Sequence, residues 1–178
     1  AGGKHRHFMD LCNAFHLPII FLMDTPGVMT GPQSEKEGAL RAGMTIAHSF
    51  AFARVPLLTL TIHKGFGYGA AAMGGLGAGQ STTLAWPNAD FNAIPLDSGI
   101  QAAYRALLEA ADDPEAEQAR LEAELGALCG AFPAAEQMKI DDIIEPAATR
   151  PRLIQALERA LTHRTQAPVP ATRWGILP

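Results

Sequence analysis

The chain has 178 residues, 48% of them hydrophobic, with 14 Lys and Arg against 18 Asp and Glu for a formal net charge of -4. That length suits one domain with a real core, and the lack of a basic cluster argues against nucleic acid and membrane surfaces as partners. Cys12 and Cys129 form no CxxC pair, and no apolar run nears the roughly 20 residues of a membrane span, so a cytoplasmic protein without a disulfide framework or zinc site is expected.

The chain starts Ala-Gly-Gly-Lys, without an initiating Met, and reads as a piece of something longer. Lys4 to His16 spaces Phe8, Met9, Leu11, Cys12 and Phe15 in a helical rhythm. Pro18 to Met23 is an unbroken apolar run, expected to be a strand buried on both faces. Asp24 to Gln33 is dense in turn formers and reads as a loop. A helix opening at Ser34 and ending near Val55 is expected to share Leu40, Met44, Ala47, Phe50 and Ala51 on one face.

Leu57 to Ile62 repeats the buried-strand pattern, and the glycine-rich turn His63 to Gly69 leads into the small-residue run Ala70 to Gly75. Two strand, turn and helix units in series predict an α/β layer structure. Short strands follow at Ser81 to Trp86 and Asp90 to Ile94, then helices at Leu96 to Ala111, Glu115 to Cys129 and Arg150 to His163, with an extended stretch at Ile140 to Ile144. The charged segment Asp112 to Glu124 reads as the solvated face of a helix, and the proline-bearing residues 164–178 as a surface tail to a domain spanning 1–163.

The chemistry centres on His63 to Met73. Glycine lets another molecule approach the backbone closely, and a helix start there aims unpaired N–H groups outward. Such a turn can hold an anion or stabilise an oxyanion without any reactive side chain. Tight packing alone explains such glycines equally well. Gly67-Tyr-Gly-Ala-Ala-Ala72 also fits the loose GxGxxA form of a dinucleotide turn, which would make this a nucleotide-binding oxidoreductase domain. Asp24-Thr-Pro-Gly27 resembles the strand-end turn of nucleotide-hydrolysing switch proteins, but no GxxxxGK[ST] loop accompanies it. Asp24 is therefore read as a loop-closing carboxylate. His5 and His7 fall at a frayed start, and no two histidines show ligand spacing, so no metal site is expected.

Six segments in order carry a resemblance: Pro18 to Val28, Gly31 to Lys36, Val55-Pro56, His63 to Met73, Ala85 to Pro87, and Asp141 to Pro146 through Thr149-Arg150. Over residues 5–155 the chain resembles the C-terminal domain of carboxyltransferase β subunits of acetyl-, propionyl- and methylcrotonyl-CoA carboxylases. The resemblance implies a crotonase-like α/β fold, a spiral of ββα units with outer helices. It implies transfer of a carboxyl group from carboxybiotin, held on a separate carrier, to the α carbon of a short acyl-CoA. By position, the main-chain donors for the biotin ureido oxygen fall on Tyr68 and Gly69. Gly67, Ala70 and Ala71 shape that turn, and Asp24, Thr25, Pro26, Gly27 and Val28 line the mouth. Propionyl-type members carry Asp where this chain has Ala71, and Arg is common where it has His63.

The expected partners are an N-terminal, acyl-CoA-binding half, a biotin carboxyl carrier protein, biotin carboxylase and further copies of the chain. Alone, the domain is expected to be inactive or nearly so. Another crotonase-fold enzyme, an acyl-CoA decarboxylase or hydratase, is the nearest alternative, and a scaffold that recruits a biotin carrier without chemistry is a further one.

Overall fold

The computed structural model describes residues 2–74 and 81–162. Helix α1 (Gly2–Ala14) leads to strand β1 (Ile19–Thr25), and two helices follow, α2 (Pro32–Lys36) and α3 (Ala39–Ala51). Strand β2 (Leu57–Phe66) runs directly into the short helix α4 (Gly67–Ala71), after which come β3 (Ser81–Ala85) and β4 (Asp90–Asn92). Helices α5 (Leu96–Ala103), α6 (Arg105–Ala110), α7 (Pro114–Gly126) and α8 (Ala131–Glu136), strand β5 (Asp142–Ile143), a 3-10 turn (Pro146–Ala148) and α9 (Thr149–Thr162) complete it.

All the strand pairs are parallel, in the order β1-β2-β3-β5, as expected where helical crossovers join the strands. β2 is the longest strand. On one edge it pairs with β1, and on the other with β3 along Leu57 to Thr61 and then with β4 along Lys64 to Phe66. The Trp86 N–H donates to Thr61 O at 3.0 Å where the first partner leaves, and β4 takes over from Lys64 onward.

β2 is buried on both faces, as its continuous apolar run predicts. Leu57 packs with Met9, Cys12, Ile19, Phe21, Ile46 and Phe50 beneath α1 and α3, whereas Leu60 packs with Leu84 and Ile144, beside Leu153 of α9. Each such leucine contributes about 2 kcal/mol through burial. β1 differs from the expectation: its burial alternates, and Ile20 and Leu22 remain 44% and 57% exposed. It is an edge strand, and α1 and α3 cover only one of its sides. The outer side has no covering element among the described residues.

The helix expected from Ser34 is two helices, separated by Gly38 in a left-handed conformation. Ser34 does not cap a helix; its hydroxyl donates to Met29 O at 2.8 Å. The buried face of α3 is Gly43, Ile46, Ser49 and Phe50, whereas Leu40, Met44 and Ala51 are exposed. Small residues lie inward because neighbours fill the space beside them: the Tyr68 ring at Gly43, and the Asp10 carboxylate, which accepts from the Ser49 hydroxyl at 3.0 Å. The expected helix 96–111 is broken at Tyr104, and α8 was not foreseen. The charged segment is helix α7 as read, capped by Asp113, which accepts from the Glu115 and Ala116 N–H groups. Residues 164–178, expected as a tail, lie outside the described residues.

The N-terminal histidines are not both at a frayed start. His5 lies in α1, its ring tilted against that of Phe21 with centroids 5.5 Å apart, and its buried Nε2 has no hydrogen-bond partner among the described residues. Burial lowers its pKa below the ordinary imidazole value. The neutral form is thus the folded one, and the unfolded chain takes up the proton first as pH falls below about 6.5. Stability is expected to be level above that pH and to decline below it, down to the folded pKa. In urea titrations between pH 5 and 8, His5→Phe should flatten this decline; an unchanged slope would assign the acid sensitivity elsewhere.

Candidate active site

Three chain segments converge at the end of β2. The first is α4 itself. Gly67 opens it at φ +51, a left-handed backbone setting, and a side chain there would put its Cβ 2.4 Å from the Ala93 carbonyl oxygen. Only glycine fits both the conformation and the space. The loop after β4 therefore presses against the turn from one side.

The loop after β1 presses from the other. A side chain at Gly69 would set its Cβ 2.6 Å from the Gly27 carbonyl oxygen and 2.8 Å from the Thr25 hydroxyl. Close backbone approach, not positive φ, requires glycine at this position. The Thr25 hydroxyl donates to Gly27 O at 3.2 Å and accepts from Gly27 N–H at 3.4 Å.

Between these walls lie the first N–H groups of α4, the positions where a helix has no intrahelical acceptor to offer. Gly69 and Ala70 are buried there and Tyr68 is half-buried. A buried N–H left without a partner costs roughly 1 to 3 kcal/mol, so a helix start of this kind favours an acceptor beside it. The Tyr68 side chain points away from this role. Its ring packs on Gly43, and its hydroxyl reaches Met44 Sδ at 3.7 Å.

Asp24 is engaged with β2. Its Oδ1 accepts from the Lys64 N–H at 3.1 Å and stands 3.3 Å from His63 Nδ1, in the loop-closing role read from the sequence. This holds a bulge, since the β1–β2 register shifts between Met23 and Thr25. Of the expected mouth residues, Thr25 and Gly27 thus meet α4, the Asp24 carboxylate faces β2, and Pro26 and Val28 are exposed. Ala70 is buried in α4 and Ala71 half-buried. The sequence reading missed Ala93, whose carbonyl fixes Gly67; it was counted as part of a strand, and no residue-type signal marks it.

The Asp141 to Pro146 segment works at a distance. Asp141 Oδ2 accepts from the Thr83 N–H at 2.7 Å and hydroxyl at 2.9 Å, Asp142 pairs with Arg152, and the Trp86 indole donates to Thr149 at 2.9 Å. These contacts lock β3 to β5 and α9. Among the described residues no group of three metal-ligating side chains comes together, and no helix is long and apolar enough to cross a membrane.

Comparison with known proteins identifies the family and the fold. A family model described as the carboxyl transferase domain matches residues 1–174. The propionyl-CoA carboxylase beta chain of Saccharopolyspora erythraea is 34% identical over 183 residues, covering 100% of this chain and 33% of that protein. A biotin-dependent acetyl-/propionyl-coenzyme A carboxylase beta5 subunit of Mycobacterium tuberculosis is 31% identical, over 100% of this chain and 33% of its own length. The solved structure of a transcarboxylase 12S subunit, described as a hexamer assembly with methylmalonyl-coenzyme A and methylmalonic acid bound, superposes with a TM-score of 0.87 at 32% identity, across 100% of this chain and 34% of that one. The fold is thus the crotonase-like α/β architecture expected from the resemblance, and the chain spans about a third of the length of these relatives.

Proposed function

The chain belongs to the carboxyl transferase domain family, and on that premise we propose that it is the C-terminal, biotin-side half of an acyl-CoA carboxyltransferase. Its reaction is transfer of a carboxyl group from carboxybiotin to the α carbon of a short acyl-CoA. The observation that carries the proposal is the helix start at Tyr68 and Gly69 directly after β2, set between the Gly27 carbonyl on one side and the Ala93 carbonyl on the other.

The donor set suits a ureido oxygen. Two uncharged N–H groups stabilise a single oxygen as negative charge grows on it, and they need no reorganisation because β2, Gly27 and Ala93 hold the turn. The Asp24 carboxylate, near the end of β1, is turned toward β2, where its Oδ1 accepts from the Lys64 N–H and stands 3.3 Å from His63 Nδ1. Carboxybiotin, when bound, supplies the carboxyl group and then the base that takes the α proton. The residues of this chain hold and orient its ring, while the acyl-CoA and its enolate belong to the N-terminal half.

The exposed apolar side of β1, with Ile20 and Leu22, supports association with that half or with further copies. A biotin carrier protein, charged by biotin carboxylase, is the remaining partner. Mixing the chain with an acyl-CoA-binding half, carboxylated biotin carrier and labelled acetyl- or propionyl-CoA tests the reading. Label is expected in the acyl-CoA only when both halves are present. A complex that binds the carrier yet transfers nothing to any short acyl-CoA would favour a scaffold instead.

A further inference from the structure

We propose that Thr25 is a positioning residue for the Gly69 amide. This rests on reading that amide as an oxyanion donor, and goes beyond it by assigning what aims the donor.

Thr25 ends β1 directly after the bulge at Asp24, paired with Gly65 of β2. Its hydroxyl closes on both polar groups of one residue, donating to the Gly27 carbonyl and accepting from the Gly27 N–H. The single proton of the hydroxyl is thereby committed, so Thr25 has no donor left for a ligand. Gly27 itself stands at φ +120, a conformation open to many alternatives without that clamp. Pro26, between the two, fixes the rest of the turn by its ring.

Clamping matters because the Gly27 carbonyl is wedged against the Gly69 α-carbon, where it leaves no room for a Cβ. The position of that carbonyl therefore sets the position of the Gly69 amide. It has an electrostatic side as well. A carbonyl oxygen beside a growing negative charge repels it, and the Thr25 proton, hydrogen-bonded to that oxygen, offsets the repulsion and directs its lone pairs toward the hydroxyl. The chain thus places a donor on the carbonyl that lies closest to Gly69.

The decisive comparison is Thr25→Val, which keeps the shape and removes the hydroxyl, with Thr25→Ser, which keeps the hydroxyl. In the assembled carboxyltransferase, valine is expected to lower kcat roughly tenfold at unchanged KM for acyl-CoA, and serine to restore it. In the chain itself, without any reaction, valine should shift the Gly69 amide resonance and speed its hydrogen exchange; Thr25→Ala serves if the valine chain does not fold. An unchanged Gly69 amide overturns the proposal, whatever the activity. A displaced Gly69 amide with undiminished kcat upholds the positioning role and rejects Gly69 as the donor.

Discussion

Removing the Gly69 N–H should lower kcat of the assembled carboxyltransferase by roughly 10²- to 10³-fold, the usual loss of one oxyanion donor. Proline is the simplest substitution, but it does two things at once. It deletes the N–H, and its Cβ lands 2.6 Å from the Gly27 carbonyl oxygen, forcing the β1 loop to move. Gly69→Ala keeps the N–H and introduces the same intrusion, so its loss measures displacement alone. An amide-to-ester replacement at residue 69 removes the N–H and adds no Cβ. The ester should therefore reproduce most of the loss, with KM for acyl-CoA little changed because that substrate lies on the other half. Full turnover by the ester chain would reject Gly69 as a donor, however damaging proline proved.

Gly67→Ala is expected to destabilise the fold itself. The left-handed backbone at φ +51 costs a residue with a Cβ about 1 to 2 kcal/mol. The new methyl must also displace the Ala93 carbonyl, 2.4 Å away, which is backbone beside β4 and cannot swing aside as a side chain could. Overpacking of that kind adds roughly 1 to 3 kcal/mol. At about 2 to 4 °C per kcal/mol for a chain of this size, calorimetry should show melting lowered by roughly 4 to 20 °C. Melting within a degree of the parent chain would mean that the turn is free to relax and that Ala93 does not brace it.

Much of the framework was legible because its signals are local. The apolar run at Leu57 to Ile62 announces a central strand, which is found, but the expected turn from His63 to Gly69 is not: the strand continues through Phe66 because β4 pairs with Lys64 to Phe66, and only Gly67 onward leaves it. The same rule failed for β1, since a continuous apolar run states that a strand is apolar on both sides but not that both are covered. The face of α3 was misjudged because Gly43 and Ser49 carry little hydrophobic weight, yet they are where Tyr68 and Asp10 arrive. The break at Tyr104 has no glycine or proline to mark it.

The candidate site divides in the same way. The glycine turn proposed to hold the donors is contiguous in sequence and could be read directly. The walls, Thr25 with Gly27 and Ala93, lie some 40 residues before and 25 after that turn and meet it only through the parallel pairing of β1 and β4 with β2. Family resemblance placed the first wall by position; nothing placed the second.

The uncovered outer side of β1 bears on how such a chain is made. An edge strand with open main-chain groups and two bare aliphatic residues, Ile20 and Leu22, is a template for indiscriminate strand addition. Because β1 precedes α9 in the chain, this strip emerges from the ribosome before α9 closes the opposite face of the sheet. Yield of monodisperse protein should then depend on how soon a mating surface is encountered, and co-expression with one, or a lysine at position 22, should relieve losses to inclusion bodies.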